Sequence, residues 1–181
     1  MERKFNEKKA IQVVALFMKK RGGAIDLLNL TKLMYLADRA ALVRYGKSLT
    51  GDRYASMEKG MVLSTTYDLS KGKIQGRYWD SYISAPSHNF IMTLLDDPNI
   101  DELSENEMEL IEEVFQKYGD KPTAYLIERV HHTLPEWVDV GKSSLIIRYK
   151  TVLEKSGWEE EQIEEFLEQM EAISYFEQYS S

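Results

Sequence analysis

Between Lys8 and Lys20 the chain carries Ile11, Val13, Val14, Leu16, Phe17 and Met18, so a helix here is apolar on almost every side. Such a helix has no face to offer water, and other elements must cover it all round. The chain therefore folds around this segment as its central helix. No stretch approaches the ~18 apolar residues of a membrane span, and Lys19, Lys20 and Arg21 close the segment without a small-residue cleavage site. A buried helix in a cytoplasmic protein is the expectation. With 181 residues, and with 43% hydrophobic against 29% charged side chains, there is material for one globular domain over residues 1–181.

Local signals place the remaining elements. Gly22-Gly23 ends the first helix, Asp26 caps a second from Leu27 to Tyr45, and Gly46 supplies its left-handed end. Residues 47–52 form a turn, Arg53–Met57 is extended, and Val62–Leu69 reads as a short helix. Tyr78–Ser84 and His88–Leu95 read as a hairpin through Ala85-Pro86-Ser87. Ser104 and Glu107 make a capping box for a helix to Tyr118. Pro122 starts another helix, to about Thr133. Leu134–Trp137 is a break, Leu145–Lys155 reads as helical, and an acidic helix over 159–176 ends the chain. Its stripe of Ile163, Phe166, Leu167, Met170 and Ile173 should face inward. The expected fold is α+β: a mainly helical single domain with a small antiparallel β-sheet.

The chemistry of catalysis is missing from the sequence. There are no cysteines, which excludes disulfides, thiolate metal sites and a cysteine nucleophile. His131 and His132 are adjacent, so on a helix they point about 100° apart and share no ligand face. Phosphate-binding glycine loops and the serine nucleophile elbow are absent, and the paired carboxylates lie in solvated settings. The expectation is a protein that is not an enzyme and needs no metal or cofactor.

Charge is divided unevenly. Residues 1–100 hold 16 Lys+Arg against 10 Asp+Glu, and residues 101–181 hold 7 against 20. The acidic half disfavours nucleic acid, which needs cations at its phosphates. It suits a basic protein partner drawn in by long-range attraction, or is simply a solvated face. The segment 33–69 concentrates Tyr35, Tyr45, Tyr54 and Tyr67 with Arg39, Arg44, Arg53, Met34, Met57 and Met61. Tyr, Arg and Met are the side chains enriched at interfaces; core packing fits the same spacing.

The same segment resembles a known family. Lys32-Leu-Met-Tyr-Leu-Ala-Asp38, Tyr45-Gly46, Thr50-Gly-Asp-Arg-Tyr54, Gly60 and Thr66-Tyr-Asp-Leu69 follow the order and spacing of the Panacea (SocA-like antitoxin) domain. Leu134-Pro-Glu-Trp137 is similar to a motif of its second half. One departure is Gly60-Met61-Val62-Leu63, where the family usually has Gly-Pro-Val-Pro. The resemblance implies a cytoplasmic antitoxin of bacterial or prophage type that neutralises a cognate protein toxin by direct binding. An adaptor handing a toxin to an ATP-dependent protease and a phage-associated scaffold are the alternatives. Arg39, Tyr45, Asp52, Arg53, Tyr54, Met57, Met61 and Tyr67 are the partner-binding candidates. Met61 stands where partner choice could be tuned.

Overall fold

The computed structural model describes residues 4–179; Met1–Arg3 and the last two serines, which the single-domain reading included, lie outside them. The fold is α+β and mainly helical, with small antiparallel sheets. The apolar segment is helix α1 (Glu7–Lys20), and Val13, Val14, Ala15, Phe17 and Met18 are fully buried in it. Helix α2 (Leu27–Tyr45) lies beside it and is buried from Leu27 to Asp38, apart from the half-buried Leu28. Its caps are those the sequence indicates. The Asp26 carboxylate accepts the Leu28 and Asn29 amides, and Gly46 sits at φ 63°. That glycine also gives room to Trp158, whose ring a Cβ would meet at 3.1 Å.

Strand β1 (Ala24–Asp26) pairs with β4 (Ile91–Thr93) in a two-stranded sheet. Strands β2 (Tyr54–Met57), β3 (Gly60–Leu63) and β5 (Ser144–Ile147) form a second sheet in the order β3-β2-β5. Helix α3 (Ser64–Ser70) follows β3 directly, and the one-turn helix α4 spans Trp79–Tyr82. Helix α5 (Glu105–Tyr118) begins with the expected capping box. Helix α6 (Thr123–Tyr125) runs into a π-helical turn, Leu126–Val130, and then a 3-10 turn, His131–Thr133. Helices α7 (Tyr149–Lys155) and α8 (Glu160–Tyr179) complete the chain.

Four local readings differ from the structure, and each difference has a tertiary cause. Gly60–Leu63 is a strand, because the two-residue turn Glu58-Lys59 folds it back on β2. Ser144–Ile147 is a strand, because β2 offers its free edge there. Tyr78–Ser84 is mainly the helical turn α4, and only Ile83 bridges to Leu94 in place of a full hairpin. The sequence reading also left out β1, whose three residues gain their strand identity from β4. On α8, Ile163 and Phe166 are buried, but Leu167 and Ile173 are exposed, so the stripe is only partly covered.

The β2–β3 hairpin has an immovable point. Gly60 sits at φ +101°, and a Cβ there would lie 2.6 Å from the His131 Cβ. Gly60→Ala should therefore cost about 2–4 kcal/mol, from the left-handed backbone and the forced overlap together. Urea unfolding of the variant checks this; an unchanged midpoint would mean that His131 does not sit against the strand.

Candidate functional site

The residues singled out in the sequence fall into two sets. The first is internal. Asp38 has no exposure and accepts from the Thr50 amide (2.9 Å), the Thr50 hydroxyl (2.6 Å) and the Tyr54 hydroxyl (2.7 Å). Burial pushes its carboxyl above the usual range, and these donors oppose the push. Asp52 is equally buried. It accepts the amides of Arg53, Thr65 and Thr66 and the Thr66 hydroxyl at 2.7–2.8 Å, so it caps α3 from outside the helix. The Asp52 carbonyl accepts the Tyr149 hydroxyl at 2.5 Å.

Glu136 is the third buried carboxylate. It accepts the Tyr35 hydroxyl (2.7 Å) and two nitrogens of Arg39 (2.5 and 3.1 Å). Arg39 also donates to the Ser156 hydroxyl. Burial alone would lower the guanidinium's pKa, but the Glu136 carboxylate beside it raises it. Burial, reinforced by Glu136, holds the Tyr35 phenol well above 10, and burial with Asp38 does the same for Tyr54. The three carboxylates thus tie α2, the turn at 48–52, α3 and the segment around Glu136 into one network.

A second internal group closes the free edge of β3. In the β2–β3 register, Met61 faces away from β2: its amide donates to His131 Nδ1 (3.2 Å) and its carbonyl accepts from Lys32 Nζ (3.1 Å). Because Nδ1 accepts, the proton sits on Nε2, which lies 3.3 Å from the Lys32 carbonyl oxygen. Burial drives His131 well below its ordinary pKa. Burial, aided by the Lys59 charge, lowers Lys32 to about 7. His132 points outward instead and stacks on Trp137 with ring centres 4.1 Å apart. The Trp137 indole donates to the Met57 carbonyl.

Of the partner-binding candidates, then, Asp52, Tyr54 and Met61 are fully buried, and in this conformation they have no surface to give a partner. Met61 packs in the core. Arg39 is half-buried and held by Glu136. Tyr45 and Arg53 are exposed, and Met57 and Tyr67 are half-buried and line one cleft. Lys32, Asp38, Glu136 and His131 were not chosen as site residues. Three of them stand in the quoted motifs, but nothing in linear spacing shows that they meet. Among the described residues no group of three or more His, Asp or Glu could hold a metal ion. No helix there is long and apolar enough to cross a membrane.

The internal network covers the stretch that a family model recognises. The model for the SocA-like antitoxin, Panacea domain, matches residues 30–138. The chain belongs to this family. Neither a curated protein nor a solved structure matches it. In this Panacea domain the matched residues contain α2 from Leu30 onward, the β2–β3 hairpin, α3 and the Glu136 segment, while β5, α7 and α8 lie beyond them. Its signature is thus largely a set of buried polar contacts. The family's Gly-Pro-Val-Pro pattern also becomes clear: the backbone groups of positions 61 and 63 point away from β2 on an edge strand, where proline removes no ladder bond.

The buried amine makes stability depend on pH. Between pH about 7 and 10.5 the unfolded chain keeps a proton on Lys32 that the folded chain has released, so stability rises with pH. His131 acts in the same sense below 6.5, where only the unfolded chain takes up the proton. The melting temperature should climb by about 5 °C or more from pH 6 to pH 9, and Lys32→Met should flatten the rise above pH 7. A melting temperature that falls over this interval would contradict the assignment.

Proposed function

We propose that the protein is an antitoxin that neutralises a cognate toxin by direct, stoichiometric binding and without turnover. Family membership carries the reading, since a SocA-like antitoxin domain implies a toxin partner. The geometry supports the mechanism. The buried side chains Asp38, Asp52, Glu136 and His131 are bonded to one another's segments, which commits them to the fold. A rigid domain with committed internal polar groups acts on its partner by covering it.

The partner face proposed here is the part of the candidate set that keeps some surface: the exposed Arg53 and the half-buried Met57 and Tyr67 around the β2–β3 hairpin, with Tyr45 and the half-buried Arg39 as outer members. Met and Tyr are adaptable or broad contact makers, and Arg adds a directional charge. Arg53→Glu combined with Met57→Glu should abolish neutralisation while the melting curve stays nearly unchanged. Met61→Glu, by contrast, should unfold the domain, because it places a charge in the core. The measurement is growth rescue and co-purification with the product of the adjacent gene, alongside thermal unfolding. Rescue that survives the double substitution would move the partner face elsewhere. Toxin that disappears only in cells with an active ATP-dependent protease would replace neutralisation by delivery.

The acidic helix supplies the approach. Glu160, Glu161, Glu164, Glu165 and Glu168 are exposed along α8, while Ile163 and Phe166 face the body. Such a field steers a basic surface and is screened over ~8 Å at physiological salt. Glu→Gln at 160, 161, 164 and 168 should slow association several-fold and leave dissociation nearly unchanged. Equal on-rates at low salt would reduce these glutamates to a solvated face.

A further inference from the structure

A cleft of about 380 Å³ opens where the first turn of α2, the β2–β3 hairpin, α3 and the turn at 141–143 meet. Its walls are apolar: Leu28, Met57 and Val62, with the rings of Tyr67 and Phe90. Four lysines surround this hollow, in a protein whose net charge is −7. Lys32 lies on the buried side, 1% exposed. Lys59, Lys71 and Lys142 are exposed, and none of them is ion-paired with a carboxylate among the described residues. Two acids also line the cleft. Asp26 is committed to capping α2, and Glu58 is exposed on the hairpin turn. Like charges gathered round a low-dielectric hollow repel one another, and an anion relieves that repulsion. Burial first, and the nearby Lys59 charge second, lower the pKa of Lys32.

The aromatic lining has its own signature. Phe90 is 61% exposed and sits at φ 61°, a left-handed conformation that a bulky side chain rarely adopts. It is fastened there: its amide donates to the Ser87 carbonyl and its carbonyl accepts the Leu27 amide, both at 2.9 Å. Strain of this kind persists only where its surroundings fix it, and it gathers at ligand sites. Across the lining, the Tyr67 ring has the Lys71 and Lys73 ammonium groups each 5.4 Å from its centre.

We infer that this cleft binds a small organic anion, with a flat apolar body against Tyr67 and Phe90 and its phosphate or carboxylate held by Lys59, Lys71 and Lys142. The volume lies at the low end of the ~300–1,000 Å³ typical of ligand pockets, which suits a compound of one or two rings. The cleft shares Met57 and Tyr67 with the partner face proposed above, but the inference is tested on the purified chain alone, so that it can fail while that reading holds.

The probe is pyridoxal 5′-phosphate, which combines a ring, a phosphate and an aldehyde. A lysine amine adds to the aldehyde and loses water to give an imine; borohydride reduces the imine to a stable secondary amine. Peptide mapping then reads which lysines were within reach. At equimolar probe, labelling should concentrate on Lys59, Lys71 and Lys142 rather than on exposed lysines elsewhere, such as Lys117, Lys121, Lys150 and Lys155. Excess phenyl phosphate or benzoate should protect the cleft several-fold, the stronger of the two naming the anion, while inorganic phosphate and phenol should not. Lys59→Ala with Lys142→Ala should lower labelling at Lys71 several-fold without moving the melting temperature. Labelling spread over the surface lysines, or equal protection by inorganic phosphate and phenyl phosphate, would overturn the site.

Discussion

Three carboxylates with essentially no exposure, Asp38, Asp52 and Glu136, hold the domain to one arrangement. A buried carboxylate that loses its donors is costly, so each one dictates where its donors must be. Asp38 fixes the irregular turn at 48–50 and the Tyr54 hydroxyl against α2. Asp52 sets the start of α3 by taking two of its free amides. Glu136 brings a segment about a hundred residues away in sequence onto Tyr35 and Arg39. Hydrophobic burial around α1 makes the chain compact, but it does not by itself decide among similar packings. The carboxylates do, because a shifted packing leaves them unpaired.

The same logic governs the outer edge of β3. An unpaired strand edge invites another chain, and this one is closed by side chains instead of a fourth strand. Lys32 and His131 occupy the two outward backbone groups of Met61, and Gly60 makes the space for His131 to reach them. The π-helical turn after α6 is what carries His131 into this position. The arrangement leaves the imidazole uncharged and a lysine amine that titrates near neutral pH, which places the pH response of the domain inside its own signature.

What could be read from the sequence follows from range. The helices declared themselves by local means: Asp26 and Gly46 around α2, and Ser104 with Glu107 at α5, are contacts within a few residues. The β3 and β5 strands did not, since four-residue segments such as Gly60–Leu63 and Ser144–Ile147 become strands only when β2 lies between them. The tyrosine, arginine and methionine cluster divided for the same reason. Tyr54 is buried and Arg53 exposed, but β2 is buried on both faces from Tyr54 to Ser56, so no alternation along this extended segment separates the two in the sequence. Likewise Lys32 and His131 sit 99 positions apart, and no spacing rule links them. The family signature was legible, but its residues look alike whether they build a fold or meet a partner; only their burial separates the two.

The account rests on the claim that these signature carboxylates serve the fold, while the partner is met by the exposed side chains around them. Asp52→Ala tests this most directly, since it orphans the Thr65 and Thr66 amides and the Thr66 hydroxyl without touching the surface. Equilibrium urea unfolding should show a loss of about 3–5 kcal/mol. Stability within about 0.5 kcal/mol of the parent, with partner binding lost, would contradict the account and make Asp52 a contact residue after all.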